Sequence, residues 1–149
     1  MAVPTATAMD AIEIAAFLDT QATGVIALGK AGSVYAFPVS YAYNDEEPAI
    51  YYRFGFGDDS QKRAYVDNAD EVSFVVYDHT EDGWKSVLAE GELEHVSPSK
   101  LDTSVVEAVN ALRIPYFQVH RQPASELEFS IHRLQVDKLS GIVEAQASD

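Results

Sequence analysis

The feature that most constrains this chain is a succession of short stretches in which apolar side chains recur at every second residue. The longest covers residues 33–43, with Tyr35, Phe37, Val39, Tyr41 and Tyr43 on one face. That is the spacing of a strand with one side buried. Residues 71–78 repeat it with Val72, Phe74 and Val76. Further strands are expected over 23–28, 49–54, 84–96 and 127–138. Turn signals separate them: Gly29-Lys30-Ala31-Gly32, the polar residues 44–48, and Asp82-Gly83. Six strands joined mostly by tight turns, with helices between hairpins, predict a mainly β fold, a six-stranded barrel with peripheral helices.

Three helices accompany these strands. The first is expected over 9–19, where Thr7 and Asp10 stand at capping-box spacing and Ile12, Ala16 and Asp19 share a face with Ala15 and Leu18 nearby. The run Gly55-Phe56-Gly57-Asp58-Asp59-Ser60 is too rich in glycine and acid to continue a strand, and Ser60 can cap a short helix through Asn68. Pro98 opens the third, with Leu101, Val105, Ala108, Val109 and Leu112 as its apolar stripe. Residues 114–123 read as irregular.

Composition narrows the function classes. The 149 residues suffice for one domain, and 47% of them are apolar, which supplies a packed core. Residues 1–8 and 143–149 are expected to be flexible ends. Residues 1–8 lack the basic and apolar regions of a signal peptide, and no apolar run approaches the ~20 residues of a membrane helix, so a cytoplasmic protein is expected. Without cysteine there is no disulfide framework, thiol catalyst or iron–sulfur site. Twenty-four acids against ten bases leave a charge of −14, which repels nucleic-acid backbones and anionic membranes. The acids are scattered over the whole chain, as in a protein that works in concentrated salt, where repulsion is screened. A halophilic source is the favoured explanation, an acidic mesophilic protein the plainer one.

Most catalytic signatures are missing. The match of Gly24 to Lys30 to a phosphate loop fails at Ala31, where a hydroxyl should bind magnesium, and its loop is an apolar strand. His79, His95, His120 and His132 show no metal-ligand spacing, and neither a GxSxG elbow nor a GxGxxG fingerprint occurs. No metal site is expected. One segment stands out. Ser60-Gln61-Lys62-Arg63 puts a hydroxyl and two bases at a helix start in a chain with only ten bases, an arrangement suited to phosphate. Arg53, on the strand before, can converge on the same anion. Equally, Lys62 and Arg63 can serve only to neutralise Asp58, Asp59 and Asp67.

The order of these segments resembles the pyridoxamine 5′-phosphate oxidase-related flavoproteins. FLDTQATGVIAL (17–28), GSVYAFPVSYAY (32–43), AIYYRF (49–54), SQKRAYVDNADEVSFVVYD (60–78), WKSVLAEGELEHV (84–96) and LQVDKLSGI (134–142) follow that family's motifs over most of the chain. Gln61 stands where the family has an arginine, with Arg63 just after the lysine. Arg53 stands where a histidine is often found, and the arginines and histidine that read pyridoxamine phosphate have no clear counterpart. The resemblance implies a six-stranded split β-barrel that dimerises and holds one FMN in each of two interface clefts. Lys62, with Ser60 and Arg63, would hold the FMN phosphate, with Arg53 as a further base. The strand carrying Phe37, Pro38, Val39 and Ser40 would lie beside the isoalloxazine, and Lys85, Ser86 and Val87 would approach the ring or ribityl chain. An FMN-dependent oxidoreductase using a small-molecule electron donor or acceptor is the implied function. The alternatives are a flavin carrier without turnover, or a split barrel holding a deazaflavin or haem. The substrate and the catalytic residues are not legible. A homodimer is further expected from the Tyr- and Phe-rich surface, with Tyr116 and Phe117 reaching the partner.

Overall fold

Alternation at every second residue turns one face of each strand inward, and six such strands close on themselves. The computed structural model describes residues 5–57, 60–97 and 128–145. Its elements are β1 (Thr5–Ala8), α1 (Ala11–Thr20), β2 (Thr23–Lys30), β3 (Ser33–Asn44), β4 (Ala49–Phe56), α2 (Ser60–Asn68), β5 (Glu71–Thr80), β6 (Gly83–His95) and β7 (Glu128–Ala145). All pairings among the described residues are antiparallel. The sheet order is β1-β7-β4-β3-β2-β5-β6, and β6 pairs back onto β7 to close a ring of six. The expected six-stranded barrel is therefore the observed one. The third helix, the irregular 114–123 segment, His120, Tyr116 and Phe117 lie outside the described residues.

The predicted inward faces hold. Phe37, Val39 and Tyr41 on β3 and Val72, Phe74 and Val76 on β5 are buried, with Tyr35 and Tyr43 packed against them. They meet Ile26 and Leu28 of β2, Tyr52 and Phe54 of β4, Val87 of β6 and Leu134 of β7 in a single core. Burying such side chains contributes roughly 1.5–3 kcal/mol each before ordering costs. The hairpin from β2 to β3 is tighter than its sequence suggests. Strand continues through Lys30, which pairs with Ser33, and only Ala31 and Gly32 form the loop, both at positive φ (50° and 80°). A two-residue turn of that kind matches the twist of the strands it joins.

Four local expectations are corrected. The capping box of α1 is Asp10 with Glu13, not Thr7 with Asp10: Asp10 Oδ1 accepts from Glu13 N at 2.8 Å, and Thr7 is already in a strand. The buried face of α1 is Ile14, Phe17 and Leu18, while Ile12 is 81% exposed, because the i, i+3, i+4 stripe facing the barrel starts two residues later. β4 runs on through Gly55 and Phe56, paired with Phe129 and Glu128, since β7 supplies a ladder the local sequence does not reveal. Finally, the chain ends are not wholly free. Thr5–Ala8 pairs with residues 142–145, and Met9 N donates to Gly141 O at 2.9 Å.

Outside the barrel, Arg133 ties three strands together. Its guanidinium meets Glu94 of β6 at 2.5 Å and Glu47 at 3.4 Å, and Tyr51 Oη donates to Glu47 at 2.5 Å. This clamp lies beside the small second cluster of Ala49 and Tyr51 with Ala42 and Ile131.

Candidate functional site

One place in the ring is incomplete. β3 and β4 pair only over Tyr41–Tyr52, Ala42–Tyr51, Tyr43–Ile50 and Asn44–Ala49. Beyond Tyr41, β3 runs on against β2 as far as Ser33, while β4 beyond Tyr52 runs on against β7 as far as Phe56. Residues 33–40 and 53–56 therefore diverge, and no ladder among the described residues joins them. An antiparallel pair that ends early leaves backbone donors and acceptors along both edges, the kind of edge a polar, planar ligand can meet. Gly55 and Gly57 flank Phe56 at the point where the chain leaves β4 for α2.

α2 brings the two bases to this opening. Lys62 is only 8% exposed, and its Nζ donates to Gly55 O at 2.8 Å. The same ammonium lies 4.6 Å from the centre of the Phe37 ring and 5.8 Å from that of Phe56. The Arg63 guanidinium lies 4.4 Å from the centre of the same Phe56 ring. Both cations thus lie against the ring of Phe56, at the end of β4. Aromatic faces attract cations by roughly 0.5–1 kcal/mol at exposed sites and more when desolvated. Cationic donors beside two strand edges that no ladder among the described residues joins are a donor set suited to a phosphate ester of a planar heterocycle, so the residues present fit the group the resemblance implies.

The other expected residues divide by face. Phe37 and Val39 point into the core, and Val87 does so from β6. Pro38 and Ser40 alternate to the outer side of β3, where Pro38 stands opposite Val25 and Ser40, buried, opposite Thr23. Ser86 is exposed on β6 between Tyr77 and Ile142, and Lys85 pairs with Asp82 at 3.6 Å. Ser60 begins α2. Arg53 is not brought to Lys62: it leaves β4 on the face opposite Tyr52 and Phe54, and its guanidinium covers the Phe129 ring at 4.5 Å. Of the expected bases, Lys62 and Arg63 are the two that lie against one ring, that of Phe56. Sequence reasoning missed Phe56, whose signal is an aromatic between two glycines just before a basic helix start.

Behind the opening lies a polar row, buried at Tyr41, Tyr52 and His132 and exposed at His95. Tyr41, Tyr52, His132 and His95 are successive cross-strand partners on β3, β4, β7 and β6. Tyr41 Oη donates to Leu18 O at 2.6 Å, whereas Tyr52 Oη and His132 Nε2 are buried with no hydrogen-bond partner among the described residues. Tyr52 stacks on Phe54 with centroids 5.5 Å apart, and His132 packs between Phe54 (5.1 Å) and His95 (5.3 Å). Burial, then the neighbouring His95, holds His132 neutral and lowers its pKa from 6.5 to about 4, with Asp67 opposing and Arg63 assisting. Since the unfolded chain binds this proton more readily, stability is fully present above about pH 6.5 and declines as pH falls toward 4. The whole decline amounts to about 3 kcal/mol at ~1.4 kcal/mol per unit. Urea midpoints between pH 7 and 5 should fall in the wild type and stay nearly level in His132→Phe; parallel slopes would remove His132 as the cause.

Among the described residues no group of three or more His, Asp or Glu side chains could hold a metal ion, and no helix is long and apolar enough to cross a membrane. No curated protein matches the chain. Solved structures do. A Corynebacterium glutamicum protein provisionally named a pyridoxamine 5′-phosphate oxidase superposes with a TM-score of 0.72 at 18% identity, covering 100% of this chain and 99% of that one. A FAD-binding protein of Mesorhizobium loti gives 0.67 at 21% identity, over 95% and 99%. A FAD and haem binding protein of Mycobacterium smegmatis gives 0.59 at 16% identity, over 89% and 70%. At these identities the structures establish the fold, the split barrel. The sequence model of the pyridoxamine 5′-phosphate oxidase family matches residues 10–143, which takes in the ring from β2 nearly to the end of β7 together with α1 and α2. With the six-strand ring and its early-ending β3–β4 pair, that match makes the chain a member of the pyridoxamine 5′-phosphate oxidase family.

Proposed function

We propose that this protein is an FMN-binding flavoprotein, an FMN-dependent oxidoreductase that works as a homodimer in the cytoplasm. The observation that carries the reading is the gathering of Lys62 and Arg63 at the opening where β3 and β4 part. In a chain of net charge −14, a local pair of cations on an aromatic lip is the feature that favours a dianionic ligand. Lys62 and Arg63, with Ser60 at the start of α2, would hold the phosphate. The strand of Phe37, Pro38, Val39 and Ser40 would offer its backbone to the heterocycle, with Ser86 and Lys85 from β6. A bound flavin supplies hydride and electron transfer. The protein's own part is to bind, orient and shield it.

An apolar outer face supports the dimer. Val25, Tyr77, Trp84, Leu88 and Ile142 are between 36% and 62% exposed and lie on neighbouring outward rows of β2, β5, β6 and β7. Contiguous exposed patches of this kind mark interfaces. Light scattering in high salt should give twice the chain mass; the mass of one chain would sink the dimer.

A second reading has FAD in place of FMN, favoured by the two relatives named for FAD binding. The purified protein should show flavin absorption, and the released cofactor should co-elute with FMN. Bleaching on anaerobic addition of NADH or NADPH supports the oxidoreductase; bands that persist leave a carrier; absent bands and failed reconstitution refute flavin binding. The scattered acids bring one more expectation. Lowering salt from molar to millimolar should lower the melting temperature as repulsion is unscreened, and an unchanged temperature would refute adaptation to salt.

A further inference from the structure

We infer that Tyr65 is a positioning residue for a bound heterocycle. By stacking on Tyr35 it makes α2 a bracket that sets the width of the β3–β4 opening. The inference deepens the proposed function and rests on it.

β3 and β4 are laced together from Tyr41–Tyr52 to Asn44–Ala49. From there residues 40–33 extend roughly 23 Å along β2, with no ladder to β4 among the described residues. Hydrogen-bonded strands connect the two parted edges the long way round the ring, through β2, β5, β6 and β7. Inside the barrel, Phe37 meets Phe54 edge-on at 5.8 Å. α2 adds a direct tie across the mouth. Its first half is fastened to β4, where Lys62 Nζ donates to Gly55 O at 2.8 Å. Its second half is fastened to β3, where the half-buried Tyr65 ring stacks on that of Tyr35 at 5.5 Å and 30°. The hairpin that begins β3 is held from the same side. Lys30 Nζ lies 5.9 Å from the centre of the Tyr65 ring. Just past the helix, Asp70 N donates to Gly29 O at 2.7 Å, and Asp70 Oδ2 accepts from Ala31 N at 3.2 Å. Tyr35 packs in turn on Phe37, 5.5 Å away, so the stack reaches the strand that would lie beside the heterocycle. A planar ligand held between two edges binds better when their spacing is set before it arrives, because less freedom is then lost on binding.

The test reads the width of the opening and the affinity separately. The chain has no cysteine, so spin labels attach only where a cysteine is introduced. Labels at Val34→Cys, 71% exposed on β3, and at Arg53→Cys on β4 flank the opening. Labelled chains are diluted with unlabelled ones, so that each pair of labels reports on one subunit. The expected result is one narrow distance distribution with Tyr65 or Tyr65→Phe, and a broader or displaced one with Tyr65→Ala or Tyr65→Leu. FMN and riboflavin should both lose about two- to tenfold in affinity in Tyr65→Ala, the worth of one aromatic pair, and regain it in Tyr65→Phe. An unchanged distribution in Tyr65→Ala, or no recovery in Tyr65→Phe, would overturn the inference while leaving the flavin reading intact. So would undiminished affinity for both flavins, or a loss confined to FMN, which would place the effect at the phosphate. Should neither flavin bind the wild type, the flavin reading fails, and the label distances alone decide whether α2 is a bracket. If Tyr65→Ala does not fold, Tyr65→Leu, which keeps an apolar side chain without the ring, supplies both readouts.

Discussion

Gly91→Ala should destabilise the protein by about 2–4 kcal/mol, a large effect for one added methyl group. Gly91 sits at the bulge where the β6–β7 register shifts, between Glu90 opposite Lys138 and Gly91 opposite Val136. A Cβ at this position would lie 1.9 Å from Gln135 O, with Asp137 N 3.2 Å away. Both contacts are backbone of the partner strand, so no side chain can rotate out of the way. Relief requires β6 and β7 to separate at the pairing that closes the ring. Bulges place an extra residue and a bend at such points, and glycine marks close backbone approach. The denaturant midpoint of Gly91→Ala measures the loss directly. A midpoint like that of the wild type would mean that ring closure does not depend on this approach.

The second large effect concerns Lys62. Lys62→Ala should weaken FMN about ten- to a hundredfold, the value of a hydrogen bond to a charged group in free-energy terms, ~1.5–3 kcal/mol. Riboflavin, which has no phosphate, should be nearly indifferent. Arg63→Ala should cost less, since Arg63 is only half-buried where Lys62 is buried, and water weakens its charge more. The loss of Lys62 also removes the donor to Gly55 O, and Lys62→Met, which keeps the aliphatic bulk, separates packing from charge. If FMN affinity survives Lys62→Ala, or riboflavin suffers equally, Lys62 is not the phosphate anchor.

Much of the barrel is legible in the sequence because its information is local. Tyr35 to Tyr43 at every second position, and Val72 to Val76, state both strand and inward face without reference to the rest of the chain. What is not legible depends on distant partners. Gly55 and Phe56 have a turn-like sequence and become strand only because Phe129 and Glu128, far along the chain, pair with them. The same holds for the chain ends, where Thr5–Ala8 and residues 142–145 carry no strong alternation and order each other. Thr7 and Asp10 have the spacing of a capping box, and only the pairing of Thr7 with Val143 shows that Thr7 belongs to a strand and leaves the cap to Asp10.

The site is legible in part, and for a different reason. A run such as Phe37, Pro38, Val39 and Ser40 alternates faces by construction, so its side chains cannot all meet one ligand, and only its backbone can. The sequence locates the basic pair at Lys62 and Arg63 but not its direction, which depends on Phe56 and Gly55 O. Arg53 illustrates the limit: one residue before the inward-facing Phe54, it necessarily points to the other side of β4.

The most direct test of the account compares FMN with riboflavin on the unaltered protein. The two ligands share the heterocycle and ribityl chain and differ only in the phosphate, so their affinity ratio isolates the work of the β3–β4 opening. Titration followed by flavin fluorescence should show FMN binding at least about tenfold more tightly than riboflavin, the value of one charge-assisted contact. Equal affinities, or binding of neither flavin, would contradict it.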